Sequence, residues 1–494
     1  MILEHLPVLP VLVFFLAALL VPLVAPLGSN LPWLIAVVAS VAASALGVLA
    51  LFAVQGVEAV RYAVGGWKPP IGIELVLDPL SAFVITVLGL VSAVVLVHSR
   101  DPVARELPRR AMPFYAATML LLGGFSGMVL TGDLFNLYVF LEISALAGYA
   151  LLGAGTPRAA VATFRYLLLG TLGASLYLIG LGFLLIETGS LNMADVAAIL
   201  GVTGLAPLST LALIFMVVGM GIKMALLPLH QWLPDVYAAA PASSSALVAP
   251  IGTKVAAYVL IRLLYDVFPA GPVLVHLRAL DLVAWFGAAG ILWGSFMAIP
   301  QRDLKRMLAY SSVAQIGYIA LGIGLGTAYG LIGAVLHILN HACMKACLFL
   351  VSANLEQRGR GIDITRFDAS LRRDLPATSA AFVLSALSMI GLPPTAGFFS
   401  KWYLLLGSWS EGRWVFIGVI VLSSLLNAVY FFRIIERMYL GKADAEVRPE
   451  APANGRAVLL TAPVVGLALA LLVLGLGNVF IVTRLIEPML PPVF

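Results

Sequence analysis

Long apolar runs separated by short polar segments recur along nearly the whole chain. Each is at least about 18 residues, long enough to cross a hydrocarbon core about 30 Å thick as a helix. Fourteen are read, at about 7–27, 32–54, 78–98, 111–130, 134–153, 160–186, 206–229, 242–263, 281–299, 306–326, 331–351, 375–407, 413–433 and 458–478. No polar segment between them is long enough to bury a core of its own. The first run has neither a basic start nor a small-residue cleavage pattern, so it reads as a retained helix.

Two runs carry internal breaks. The seventh reads GMGIKMALLPLHQWLPDVY, with Pro228 five residues after Lys223; the twelfth reads SMIGLPPTAGFFSKWYLLLG, with Pro393 and Pro394 shortly before Lys401. Proline lacks a backbone donor and clashes with the preceding turn, so each helix breaks or kinks there. Backbone freed inside a membrane is tolerated only against protein or a wet cavity. Interrupted segments at corresponding places in two halves point to inverted repeats around an ion site. The expected fold is an all-α integral membrane protein of about 14 transmembrane helices, with two inverted five-helix repeats and two broken helices. Its parts are N-terminal helices over 1–110, a first repeat over 111–265, a second over 280–440, and a last helix over 455–494.

Composition agrees with this reading: 62% of residues are hydrophobic and 11% charged, which excludes a soluble globular protein. The net charge of +5 comes from basic residues whose placement is asymmetric. With helices alternating from an N-terminus outside, nineteen of the 29 Lys and Arg fall on one side, from Arg100 and Lys305 to Lys442, Arg448 and Arg456. Six fall on the other, Arg61, Lys68, Arg262, Arg278, Arg413 and Arg484, and four lie within the runs. The positive-inside rule then places both termini outside the cytoplasm. Charges scattered over several loops in this way give no nucleic-acid surface. Cys343 and Cys347 read as small core residues. No iron–sulfur ligand run, zinc set or phosphate-binding loop is present, so no cofactor or metal is expected.

The four intramembrane lysines, Lys223, Lys254, Lys345 and Lys401, carry the candidate chemistry, with Glu142 the acid among them. Ionisable groups in hydrocarbon cost at least about 2.5 kcal/mol each and mark routes for protons or cations. Glu142 set against Lys223 makes a switchable ion pair. Desolvated lysines are suited to accept and release protons. His337, His341 and Lys345 recur at intervals of four and stack on one helical face, as a relay would. Ser244, Ser311, Ser312, Tyr310 and Tyr318 are placed to order water between these groups. His230 and Asp235 follow the seventh-run break and form either a proton inlet or the cap of a turn.

Five segments carry a resemblance: GDLFNLYVFLEISALAGYALLG, KMALLPLHQWLPDVYAAAPASSSALVA, RDLKRMLAYSSVAQIGY, LHILNHACMKACLFL and GLPPTAGFFSKW. The chain resembles the antiporter-like subunits shared by Mrp cation/proton antiporters and respiratory complex I, and its fifth-helix segment looks most like the D-type chain of the Mrp antiporters. The resemblance implies two inverted five-helix bundles joined by a central polar axis. In it Glu142 pairs with Lys223, and Lys254, His337, His341 and Lys345 lead from that pair to Lys401. It implies work within a hetero-oligomeric complex in the cell membrane, moving protons and Na⁺. Two functions stay open on this basis: an Mrp-type Na⁺/H⁺ antiporter subunit, and a proton-pumping subunit of an NADH-quinone oxidoreductase-like or hydrogenase-like redox complex.

Overall fold

A computed structural model describes residues 2–268, 278–441 and 457–491. Lys442, Arg448 and Arg456 of the orientation argument lie outside the described residues. Thirteen described helices are long and apolar enough to cross a membrane, and the twelfth apolar run supplies two shorter half-helices instead. Each of the fourteen runs therefore corresponds to one helical element of this multi-pass membrane protein.

In chain order the elements are α1 (Leu9–Val24), α2 (Leu31–Ala53), α3 (Pro79–His98), α4 (Ala111–Leu130), α5 (Leu134–Leu152) and α6 (Pro157–Thr188). The broken α7 has halves α7a (Pro207–Met224) and α7b (Trp232–Ala239), and α8 (Ala242–Arg262) follows it. Next come α9 (Ala279–Ala298), α10 (Leu304–Gly324) and α11 (Ala328–Gln357). The broken α12 has halves α12a (Pro376–Ile390) and α12b (Ala396–Ser410), before α13 (Trp414–Leu440) and α14 (Ala457–Leu476).

Local chemistry sets the helix starts. Asp78 accepts from Ser81 N and Ser81 returns the bond, with Pro79 first in α3. The side chains of Asp133, Thr156, Asp303 and Thr327 each accept one backbone N–H from the first turn of α5, α6, α10 and α11, without the returned bond. Small residues let backbones meet: a Cβ on Gly287 or Gly294 of α9 would run into the backbone of α10.

One element departs from the all-helical expectation. Strands Val60–Ala63 and Glu74–Leu77 pair antiparallel outside the apolar runs. Glu74 ties this hairpin down by accepting from Arg61 Nη1 at 2.9 Å and Asn192 Nδ2 at 2.7 Å. Eight residues of strand are too few to leave a clear alternating signal in a chain this apolar.

Burial sorts the helices by role. Over their most apolar windows α10 and α11 are 94% buried and α8 with its extension 89%, whereas α1 and α13 are 33% buried. α8 packs on α11 at the junction of the two halves. The helices carrying Lys254, His337, His341 and Lys345 are thus wrapped by others, and leucine-rich faces of outer helices turn outward.

Candidate functional site

The break in α7 places its lysine. The helix ends at Met224, and Ala225 takes a left-handed conformation at φ 62°. The chain passes Pro228 and re-enters a helix at Trp232. Trp232 Nε1 donates to the Ile222 carbonyl at 2.9 Å, pairing one of the acceptors the break frees. Lys223 stands in the last turn of α7a, where carbonyl dipoles favour a cation. Its Nζ donates to the Tyr149 hydroxyl at 3.3 Å and lies 5.8 Å from that ring's centroid.

Glu142 does not touch Lys223. No ion pair within 4.0 Å joins them, and Glu142 Oε1 is buried without a hydrogen-bond partner among the described residues, though its charge still acts on the lysine. The direct pair expected from sequence is held open here, with the lysine resting on Tyr149 two turns further along α5.

The break in α12 has matching chemistry. α12a ends with Gly391 in the left-handed region at φ 92°, Pro393 and Pro394 follow, and α12b begins at Ala396. Lys401 reaches back across the break. Its Nζ donates to the carbonyls of Met389 at 2.9 Å and Ile390 at 3.0 Å and to Ser424 Oγ at 3.1 Å, with the Tyr318 ring 4.8 Å away. Lys223 lies before its break and Lys401 after, yet the ammonium of each sits at the carboxyl end of the first half-helix.

Between the two lies the α8–α11 junction. Lys254 Nζ donates to Ala249 O at 2.7 Å and Thr253 Oγ1 at 3.3 Å. On α11, His337 Nε2 is hydrogen-bonded with Gln315 Oε1 and its Nδ1 with Ser400 Oγ, both at 2.9 Å. The His341 ring stacks on His337 with centroids 5.9 Å apart, and both His341 nitrogens are buried without a hydrogen-bond partner among the described residues. Lys345 Nζ donates to Leu308 O at 2.6 Å and to Ser311 Oγ. Lys254 and Lys345 both act electrostatically on His341, and Lys254 and Lys401 on His337.

All four lysines are shielded: Lys223 is 9% exposed, Lys254 2%, Lys345 0% and Lys401 4%. Snorkelling to headgroups is excluded by these values. A cavity of about 40 Å³ touches Lys223, Ser144, Tyr166 and Thr253, and so spans the space between Lys223 and the partner of Lys254. That volume admits at least one water.

The remaining candidates are not gathered. His230 Nε2 accepts from Trp293 Nε1 at 3.1 Å, whereas Asp235 pairs with Arg306 at 3.1 Å beside an open recess that Arg158 and Arg165 also line. Pro228 lies in the turn between them and Lys223.

Residues 131–427 match the transmembrane family described as NADH:quinone oxidoreductase/Mrp antiporter, TM. The chain belongs to this family. It is 47% identical to the N subunit of the NADH-quinone oxidoreductase of Desulforudis audaxviator, over 99% of each chain. It is 32% identical to the D-type chain of the Na(+)/H(+) antiporter of Alkalihalophilus pseudofirmus, over 83% of this chain and 82% of that one. Among solved structures, a chain of the membrane-bound sulfane sulfur reductase, an archaeal respiratory membrane complex, superposes with a TM-score of 0.88 at 30% identity. That match covers 98% of this chain and 96% of the other.

Within this antiporter-like chain, several partners escape a search of the sequence for charges. Tyr149, Gln315, Ser400, Ser424 and Thr253 each bond a titratable group of the axis. Tyr149 had a faint signal, seven residues after Glu142 and hence on the same face. Glu106 is another. Its Oε2 accepts from Ser243 N at 3.2 Å and Oγ at 3.0 Å, and its Oε1 is buried without a partner among the described residues. Burial pushes this carboxyl up to about 6, aided by nearby Glu356 and opposed by the Ser243 bonds and Lys305.

Proposed function

We propose that this chain is the proton-translocating subunit of a multisubunit Mrp-type Na⁺/H⁺ antiporter. Protons travel along Glu142, Lys223, Lys254, His337, His341, Lys345 and Lys401. The observation that carries this reading is the burial of all four lysines in the helix interior, each held by neutral oxygens instead of a fixed carboxylate. A lysine paired only with hydroxyls and carbonyls can lose its proton without leaving a carboxylate stranded. When Glu142 closes on Lys223 the ammonium is favoured; when the pair opens, as in this structure, the proton is released toward Thr253 and Lys254.

Asp235, in the recess that Arg158 and Arg165 line, and His230, bonded by Trp293, are two separate candidate inlets. The distribution of basic residues supports an N-terminus and C-terminus outside the cytoplasm of a bacterial or archaeal cell membrane. The division into segments 1–110, 111–265, 280–440 and 455–494 is retained, since the two breaks fall within the second and third. Other subunits complete the assembly, and the Na⁺ route belongs to one of them, because a single acid is too few for a Na⁺ site here.

The test uses everted vesicles carrying the complete assembly. Glu142→Ala and Lys223→Ala should each abolish sodium-dependent proton movement while the subunits still co-purify; normal transport in either variant overturns the assignment. A second reading, a proton-pumping subunit of a redox complex, is favoured by the 47% identity to a quinone oxidoreductase subunit over 99% of the chain. Identifying the partner chains in the native complex separates the two: dehydrogenase or hydrogenase subunits select the second.

A further inference from the structure

Helix α8 continues beyond Lys254 as a column of polar side chains that the proposed proton axis does not use. Lys254, Tyr258, Arg262 and Asp266 follow one another every four residues, so they share a face. Tyr258 is buried; its hydroxyl donates to the Val129 carbonyl, in the last turn of α4, at 2.6 Å. Arg262 Nε donates to that same hydroxyl at 2.8 Å, and its guanidinium lies 5.0 Å from the ring centroid. The guanidinium is held from two sides, by Asp266 on its own helix at 2.6 Å and by Asp78, the N-cap of α3, at 2.5 Å. Arg262 is only 15% exposed and Asp266 39%, so the bonded column Tyr258–Arg262–Asp266 runs to the surface from one turn beyond Lys254.

We infer that Arg262, clamped between Asp78 and Asp266 above Tyr258, is the outward gate of the Lys254 proton route. The inference rests on the proposed function, which supplies the route through Lys254; the outward side is the one on which Arg262 falls in the distribution of basic residues.

The two acidic partners differ in a way that suits a gate. Asp266 lies one turn from Arg262 on the same helix and moves with it. Asp78 belongs to α3 and is fixed by its bond to Ser81. A small shift between α8 and α3 parts Arg262 from Asp78 while the Asp266 pair persists, which gives two discrete arrangements. With the clamp closed, a permanently charged guanidinium lies across the exit and repels any proton leaving Lys254. The Asp78 carboxyl is engaged twice, accepting from Arg262 Nη2 at 2.5 Å and from Ser81 N at 2.8 Å, so the clamp has a fixed seat on the α3 side.

The experiment measures passive proton leak in everted vesicles that carry the whole assembly, after an acid step and without sodium or respiratory substrate. Asp78→Asn should raise the leak roughly tenfold, the size expected when one partner of a charge-assisted hydrogen bond is lost. Adding Lys254→Leu to Asp78→Asn should return it to the wild-type rate. If Asp78→Asn does not assemble, Arg262→Lys, which keeps the charge but loses the fork, carries the same expectation. An unchanged leak, or one that survives the loss of Lys254, overturns the gate. With Lys223→Ala measured alongside, blocked coupled transport together with an unchanged Asp78→Asn leak removes the gate alone. Normal transport in Lys223→Ala removes the gate and the axis together.

Discussion

Tyr149 takes the hydrogen bond from Lys223 that Glu142 was expected to take, at 3.3 Å, while the Glu142 carboxylate waits two turns away on the same helix. The tyrosine thus holds the lysine in the open state. Tyr149→Phe removes that acceptor without adding volume, so the lysine should shift toward Glu142. Sodium-dependent proton movement should fall about tenfold, in line with loss of a hydrogen bond to a charged group. Gly170→Ala should act in the same direction, because its Cβ would collide with the Tyr149 hydroxyl. Wild-type transport rates in both variants would show that Tyr149 is a bystander.

The two breaks predict opposite effects of substitution at equivalent positions. Ala225 bears a side chain at φ 62°, whereas Gly391 has none at φ 92°. Ala225→Gly should stabilise the purified complex by about 1 kcal/mol through relief of the left-handed strain. Gly391→Ala should destabilise by at least that much, since its Cβ would also sit 3.0 Å from Lys401 Cδ. Thermal unfolding midpoints read the two signs directly.

Lys401 is held by two carbonyls and a hydroxyl, all acting as acceptors. Lys401→Gln keeps a donor for them; Lys401→Glu places a carboxylate among carbonyls at the negative end of α12a. The glutamate variant should be the less stable of the two at pH 8, with both inactive in transport. The difference should narrow at pH 5 as the carboxyl takes up a proton. A glutamate variant as stable as the glutamine one at pH 8 would argue for an unseen donor near the site.

Glu106 makes stability depend on pH. Its carboxyl is raised by burial from 4.5 to about 6, so the folded state holds the proton more tightly than the unfolded one. The contribution, about 2 kcal/mol, is fully present below pH 4.5 and is lost as pH rises through about 6. Glu106→Gln should therefore raise the unfolding midpoint at pH 7.5 and leave it nearly unchanged at pH 4.5. Equal shifts at both values would mean that the carboxyl is not titrating in this window.

The sequence by itself determined the helices, because a spanning segment must satisfy its backbone internally and shed polar side chains, and that need is written locally in composition. Thus Pro79–His98 and Leu134–Leu152 fall within a residue or two of the apolar runs that predicted them. The breaks at Pro228 and at Pro393 and Pro394 were legible for the same reason: a missing N–H is a property of one residue. The lysines and histidines also stood out, as charges among leucines.

Only the tertiary structure decided what those groups touch. Lys401 bonds Met389 and Ile390 because the break sets the first turns of α12b against the last turn of α12a, and His337 reaches Gln315 and Ser400 because α10 and α12b pack beside α11. Serine, glutamine and tyrosine are common packing residues in membrane helices, so nothing local separates those that bond a lysine from those that do not. Likewise Arg262 looked like one more basic residue at a helix end until Asp78, 184 positions earlier, was brought against it. Which acceptor a buried cation finds depends on helix packing angles and depth, quantities fixed by contacts between distant segments.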